Sequence, residues 1–248
     1  MSQKILVALT TYAGDFEQRL ILRKVVKHLR AKNKDDIFLL IVSDGKIKDQ
    51  NIHSKADRLI ERPGPSGLQK GELDSIRLIT NFAKEHHFPY IIKSAGDIMM
   101  TKQYWSRTVL NRFFETNAKI LSTHWFHHNS WIIGTKFFVA QTDFLLKTLP
   151  TSLQGENLEK AFTQSISKAY SIQDVAYLIN TNTGERHEVQ HELKDWGWEH
   201  AHRLTKFIYL DEYASPMMRW LSRACLYPIL QIKRELLRGI SKIVSDKN

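Results

Sequence analysis

Tyr90-Ile91-Ile92-Lys93-Ser94-Ala95-Gly96-Asp97-Ile98-Met99-Met100 is the stretch on which the fold turns. Tyr90 to Ile92 reads as a short buried strand, and the small residues after it deliver one carboxylate, Asp97, to its C-terminal edge. In an open α/β sheet the ligand crevice lies outside that edge, because the loops leaving the strand ends form it. An isolated Asp there also suits a plainer role, ending the strand or capping a helix that starts near Lys102. The surrounding sequence has to decide between them.

Upstream, Lys4-Ile5-Leu6-Val7-Ala8-Leu9 is apolar without polar alternation, the pattern of a parallel strand covered on both faces. Thr10 to Gly14 reads as a loop, and Asp15 as the cap of a helix whose Phe16, Leu20, Val25, Val26 and Leu29 keep near-helical spacing. Ile37 to Val42 is a second buried strand closing a βαβ unit at Ser43-Asp44-Gly45, so the residues from Thr10 to Tyr12 and Asp44 leave strand ends on the same crevice. Asp57 to Glu61 reads as a third, short strand. Pro63 to Gly71 holds two prolines and three glycines in nine residues and is expected to be irregular before a helix over about Glu72 to His86. A loop feeding a helix N-terminus can offer backbone N–H groups and Lys70 to phosphate, although G-x-x-x-x-G-K-[ST] is not satisfied.

Downstream, the pattern predicts a helix over Gln103 to Glu115, a strand over Lys119 to Trp125, and one or two strands over Trp131 to Val139. A short helix from Asp143 to Leu149 stops at Pro150. An amphipathic helix then starts at Gly155 with Glu156 and Glu159 in its first turn, where carboxylates suit the helix dipole whatever else they do.

The 248 residues, 42% hydrophobic, are enough for one sizeable core, read as a domain over 1–210 with an extension over 211–248. A formal charge of +10 favours an anionic partner such as nucleotide phosphate or acidic lipid. The basic residues are dispersed and form no nucleic-acid module, so no nucleic-acid partner is expected. Cys225 stands alone, which excludes an intrachain disulfide and a cysteine-rich metal site. No signal-type segment opens the sequence, and no apolar run approaches the ~20 residues that span a bilayer, so the expected location is cytoplasmic. From Met217 to Val244, apolar residues including Trp220, Leu230 and Leu237 interleave with Arg219, Lys233 and Arg238, and Pro228 divides the segment into two helices. Such a stripe suits an anionic membrane surface, or packing on the domain or on a second subunit. The loop after the first strand lacks G-x-G-x-x-G, which sets aside dehydrogenases and methyltransferases.

Taken together, residues 4–205 resemble the GT-A fold nucleotide-sugar glycosyltransferases, and are similar to the family-2-like bacterial enzymes that build surface polysaccharides such as lipopolysaccharide. The resemblance implies a GT-A-like (Rossmann-like) α/β fold, a mostly parallel sheet flanked by helices, moving a sugar from a nucleotide-sugar donor to a glycan or lipid-linked acceptor. It implies nucleotide contacts from Thr10, Thr11, Tyr12, Asp44, Lys70, Ser94 and Ala95. The family's D-x-D falls on Ala95-Gly96-Asp97, where only the second acid is present. One carboxylate makes a weaker site for Mn or Mg than two, so both a divalent metal and metal-independence stay open. His200 and His202 stand where the family's late metal-binding His would be, and His124, His127 and His128, beside Trp125 and Phe126, suit an acceptor side. The catalytic base implied is Glu156, with Glu159 second, one turn away on the same helical face. The resemblance also implies peripheral attachment at the inner membrane face, and a homo-oligomer is compatible with it. The competing class is a catalytically inactive transferase-like domain serving as a membrane-surface or assembly partner.

Overall fold

The computed structural model describes residues 4–12, 16–33, 36–64, 67–100, 104–127, 130–153, 155–171, 174–177 and 198–200. In chain order these form β1 (Ile5–Thr11), α1 (Phe16–Asn33), β2 (Ile37–Asp44), α2 (Gln50–His53), β3 (Arg58–Arg62), α3 (Leu68–Glu85), β4 (Tyr90–Ala95) and β5 (Ile98–Met100). They continue as α4 (Trp105–Glu115), β6 (Ile120–His127), β7 (Ser130–Gln141), α5 (Thr142–Thr148), α6 (Leu158–Ala169), β8 (Val175–Tyr177) and β9 (Trp198–His200). All lie within one compact unit, Met1–His200.

Among the described residues the main sheet has seven strands, in the order β3-β2-β1-β4-β7-β6-β8. β3, β2, β1 and β4 run parallel, β7 is antiparallel to both β4 and β6, and β8 is parallel to β6. This is the expected class in its main features: an α/β, Rossmann-like, mostly parallel sheet flanked by helices. Period-two alternation splits its side chains between two layers. Leu6, Ala8, Leu40 and Ile91 join Leu73, Ile76, Phe144 and Phe162 of α3, α5 and α6 in one core cluster. Val7, Leu9 and Ile92 face the opposite way, the side of Leu22, Val25 and Leu29 of α1, all fully buried. On α4, buried Trp105 meets Phe137 edge-on with centroids 5.5 Å apart.

Several boundaries differ from expectation. Thr10 and Thr11 are paired strand residues, because β1 stays in register with β2 as far as Thr11↔Ser43. The expected strand over Tyr90 to Ile92 runs on to Ala95. α3 starts at Leu68 and not at Glu72. Gly67, at φ 83°, turns the chain and accepts the Gly71 N–H at 2.7 Å, which closes the first helical turn before the last glycine of the run. Lys70 is therefore an exposed residue of that first turn rather than of a loop.

Residues 131–139 belong to one strand that reaches Gln141. α6 begins only at Leu158, since the Asn157 side chain caps it by accepting from the Glu159 N–H, so Glu156 precedes the helix and does not share a helical face with Glu159. Asp97 is not the cap of α4: it lies in the turn between β4 and β5, and Tyr104, at φ 51°, holds the N-cap position. β5, β8 and β9 were not legible, because three residues are too few to show a period. The expected cap Asp15, His128, His202 and the extension 211–248 lie outside the described residues.

Candidate active site

The crevice floor is built where four parallel strands end side by side. Thr10 lies beside Ala95 in the β1–β4 ladder, and the Gly96 N–H donates to the Thr10 carbonyl at 2.8 Å, carrying the two strands one step past their register. A side chain at Gly96 would come within 3.0 Å of Thr11 and 3.2 Å of Leu22 Cδ1. This glycine lets the chain turn tightly against β1 and brings Asp97, half-buried, out at the edge. Thr10 is buried, Thr11 half-buried and Tyr12 exposed, so the three form a graded wall from floor to solvent. Ser94 is fully buried, with its Oγ donating to the Ala95 carbonyl at 3.2 Å.

Asp44, the last residue of β2, is 8% exposed and held in an ionic network. Arg62, at the end of β3, places Nη1 3.5 Å from Asp44 Oδ1 and donates to the Gly71 carbonyl at 2.8 Å and to Asp74 Oδ2 at 2.9 Å. The guanidinium fork thus ties β2, β3 and α3 together. Gly71 is required for this: a Cβ there would stand 2.5 Å from Asp44 Oδ2. The helix backbone consequently lies directly against the carboxylate.

The opposite wall depends on an irregularity in β7. Its ladder with β6 pairs Ser122 with Phe138 and then His124 with Ile133, so residues 134–137 bulge between two ladder segments. Pairing with β4 also ends at Ser94↔Phe137. The Thr135 peptide is left without a ladder partner on either side, and its buried groups must bond elsewhere. Lys93 Nζ, on fully buried Lys93 of β4, donates to the Thr135 carbonyl at 2.6 Å and bridges to Glu72 Oε1 of α3 at 2.6 Å. The Thr135 N–H points to Glu159 Oε1 at 3.5 Å, and Ser122 Oγ donates to the Gly134 carbonyl at 2.7 Å.

Glu159 is 8% exposed at the N-terminus of α6. Burial pushes its carboxyl up from 4.5 to about 7, with Glu72 adding to the rise and the Thr135 N–H, Lys136 and Lys93 opposing it. A carboxyl so placed exchanges a proton near neutrality. Glu156, by contrast, faces Lys160 Nζ at 3.2 Å and Gln164 Nε2 at 3.4 Å on a more exposed surface.

Asp97 is the one member of the expected metal set whose side-chain environment is described. β5 pairs antiparallel with β9, setting His200 opposite Ile98 and therefore one register position from Asp97. His202 lies outside the described residues. Among the described residues no three His, Cys, Asp or Glu side chains converge as metal ligands. His124 and His127 lie on the β6–β7 hairpin beyond the bulge, at the crevice end of β7.

The sequence reading thus brings Thr10, Thr11, Asp44 and Asp97 to one sheet edge. It overlooked Arg62, Glu72 and Lys93. A lysine in the otherwise apolar run Tyr90-Ile91-Ile92 was the available signal for the last, because an ammonium in a buried strand must be paired.

No protein-family profile matches the sequence, and no curated protein matches it. Solved structures match over part of the chain. One is a cytidylyltransferase from Leptospira borgpetersenii serovar Hardjo-bovis (TM-score 0.49, 11% identity, 74% of this chain and 79% of that chain). Another is glucosyl-3-phosphoglycerate synthase from Mycobacterium tuberculosis in complex with Mn2+, UDP and phosphoglyceric acid (TM-score 0.49, 9% identity, 71% and 68%). A third is 4-diphosphocytidyl-2C-methyl-D-erythritol synthase from Anaerococcus prevotii (TM-score 0.48, 11% identity, 77% and 96%).

Proposed function

We propose that this chain is a glycosyltransferase that moves a sugar from a nucleotide-sugar donor to a glycan or lipid-linked acceptor in surface polysaccharide synthesis. The observation that supports the reading is the Glu159 carboxyl, buried against the Thr135 N–H at the same sheet end to which β2 and β4 bring Asp44 and Asp97. In this reading Asp44, Thr10, Thr11 and Tyr12 hold the nucleoside, and Asp97, with Lys70, meets the diphosphate end. Glu159 takes the proton from the acceptor hydroxyl as its oxygen bonds to the anomeric carbon, while the bond from that carbon to the diphosphate breaks and the diphosphate leaves. Glu156, its carboxylate facing Lys160, is the lesser candidate for base. Residues 1–210 are the transferase domain. Residues 211–248 bind the inner membrane face.

A panel of nucleotide sugars with product detection tests the reading. The full-length chain should turn over at least one donor; Glu159→Gln and Asp97→Asn should abolish transfer, the latter with the thermal midpoint nearly kept. Turnover by Asp97→Asn would remove that residue from the reaction.

A second reading, a non-catalytic transferase-like domain acting in assembly at a membrane, is favoured by one observation: Ala95 occupies the place of the first acid of the D-x-D. Calorimetric titration with UDP, GDP and CMP, with and without Mn2+, separates the two. Binding of none of them, together with no turnover, selects the second.

A further inference from the structure

The bulge in β7 creates a need that Lys93 meets. Residues 134–136 leave both ladders, and the Thr135 N–H and carbonyl would otherwise be buried polar groups without a bond on either side. Lys93 is 0% exposed, and its Nζ both donates to the Thr135 carbonyl and bridges to Glu72 at 2.6 Å. The N–H of the same residue, one peptide unit earlier, points to Glu159. A methionine or leucine would fill a position in the interior of β4 at lower desolvation cost, so the ammonium there calls for a reason beyond packing.

We propose that Lys93 is a positioning residue for Glu159: through the Thr135 backbone, held by its carbonyl, and through the Glu72 carboxylate it fixes where the Glu159 carboxyl sits and how much positive charge it faces. The proposal deepens the transferase reading and rests on it for the use made of Glu159. The groups that act on Glu159 come from three elements: Glu72 on α3, Lys93 on β4, and Lys136 with the Thr135 N–H on β7. On α6 itself Lys160 is engaged with Glu156, and among the described residues no charge of α5 acts on Glu159. Two carboxyls and one buried ammonium therefore share the wall. Loss of the ammonium strengthens proton binding by Glu159, and loss of the Glu72 charge weakens it.

The experiment is a titration of the full-length chain followed by carboxyl-13C glutamate NMR, with the Glu159 signal assigned by its disappearance in Glu159→Gln. It needs no substrate, so absence of transfer activity does not touch it. Lys93→Met should move the Glu159 midpoint up, and Glu72→Gln should move it down. If Lys93→Met does not fold, Lys93→Gln decides instead, because it keeps a donor for the Thr135 carbonyl and loses only the charge. Where a donor is turned over, the acid limb of the pH–rate profile should follow the same two directions. A Glu159 midpoint that stays in place, or moves the same way in the Lys93 and Glu72 variants, overturns the proposal, since a merely structural lysine would not produce opposite shifts.

Discussion

Glu159 carries a cost that shows as pH dependence. Its carboxyl titrates near 4.5 in the unfolded chain and at about 7 in the folded one, so between those values the folded state holds a proton that the unfolded state has released. Stability on this account is highest below pH 4.5, falls as pH rises toward 7, and levels off above it, by roughly 3 kcal/mol in all. Glu159→Gln removes the titration while keeping the shape. Denaturant unfolding of both proteins at pH 5 and pH 8 should show the variant gaining on the parent at the higher pH; a difference independent of pH would mean that the carboxyl is not held neutral by burial. At the same scale, Asp44→Ala should weaken nucleotide binding in titration. Unchanged affinity would place the nucleoside elsewhere.

At the scale of elements, the contact between α3 and the end of β2 makes a prediction with a change of sign. Alanine normally stabilises a helix interior over glycine by about 1 kcal/mol. At Gly71 a Cβ would stand 2.5 Å from Asp44 Oδ2 and 3.3 Å from its Cγ, and the carboxylate has little freedom beside Arg62. Gly71→Ala alone should therefore lower the thermal midpoint, whereas in an Asp44→Ala background the same change should raise it. Equal effects in both backgrounds would show that α3 does not press on Asp44. The two helices contrast in how far the sequence revealed them. The α1 spacing from Phe16 to Leu29 gave the helix, but the start of α3 was hidden because Gly67 and Gly71 look alike in sequence, while only Gly67 has positive φ.

For the whole molecule the open question is attachment. None of the helices among the described residues is long and apolar enough to cross a membrane. The basic, apolar-striped segment 217–244 is proposed to bind anionic lipid, where each Lys or Arg near the surface contributes about 1 kcal/mol. A chain ending near Ala214 should keep a cooperative unfolding transition and lose flotation with anionic liposomes that the full chain shows. Failure of the full chain to float ends the membrane proposal, and unfolding of the shortened chain would assign the stripe to the core.

What the sequence by itself determined is the parallel half of the sheet and its working edge. The runs Lys4 to Leu9, Ile37 to Val42 and Tyr90 to Ile92 are apolar on both sides, which only a strand buried on both faces tolerates, and polar residues follow each run where it meets the crevice. Asp44 and Asp97 were legible for that reason. Tertiary structure alone decided how the acids are held. Arg62 reaches Asp44 across a strand, Lys93 reaches Glu72 and Thr135 across a helix and a bulge, and Glu156 and Glu159, three residues apart, part between a salt-bridged surface and a buried wall. A bulge of residues 134–137 leaves no mark in periodicity, and the start of α6 turns on a cap made by one Asn157 side chain. Charge and proton affinity at this site follow from burial and from partners distant in sequence, and those exist only once the sheet has assembled.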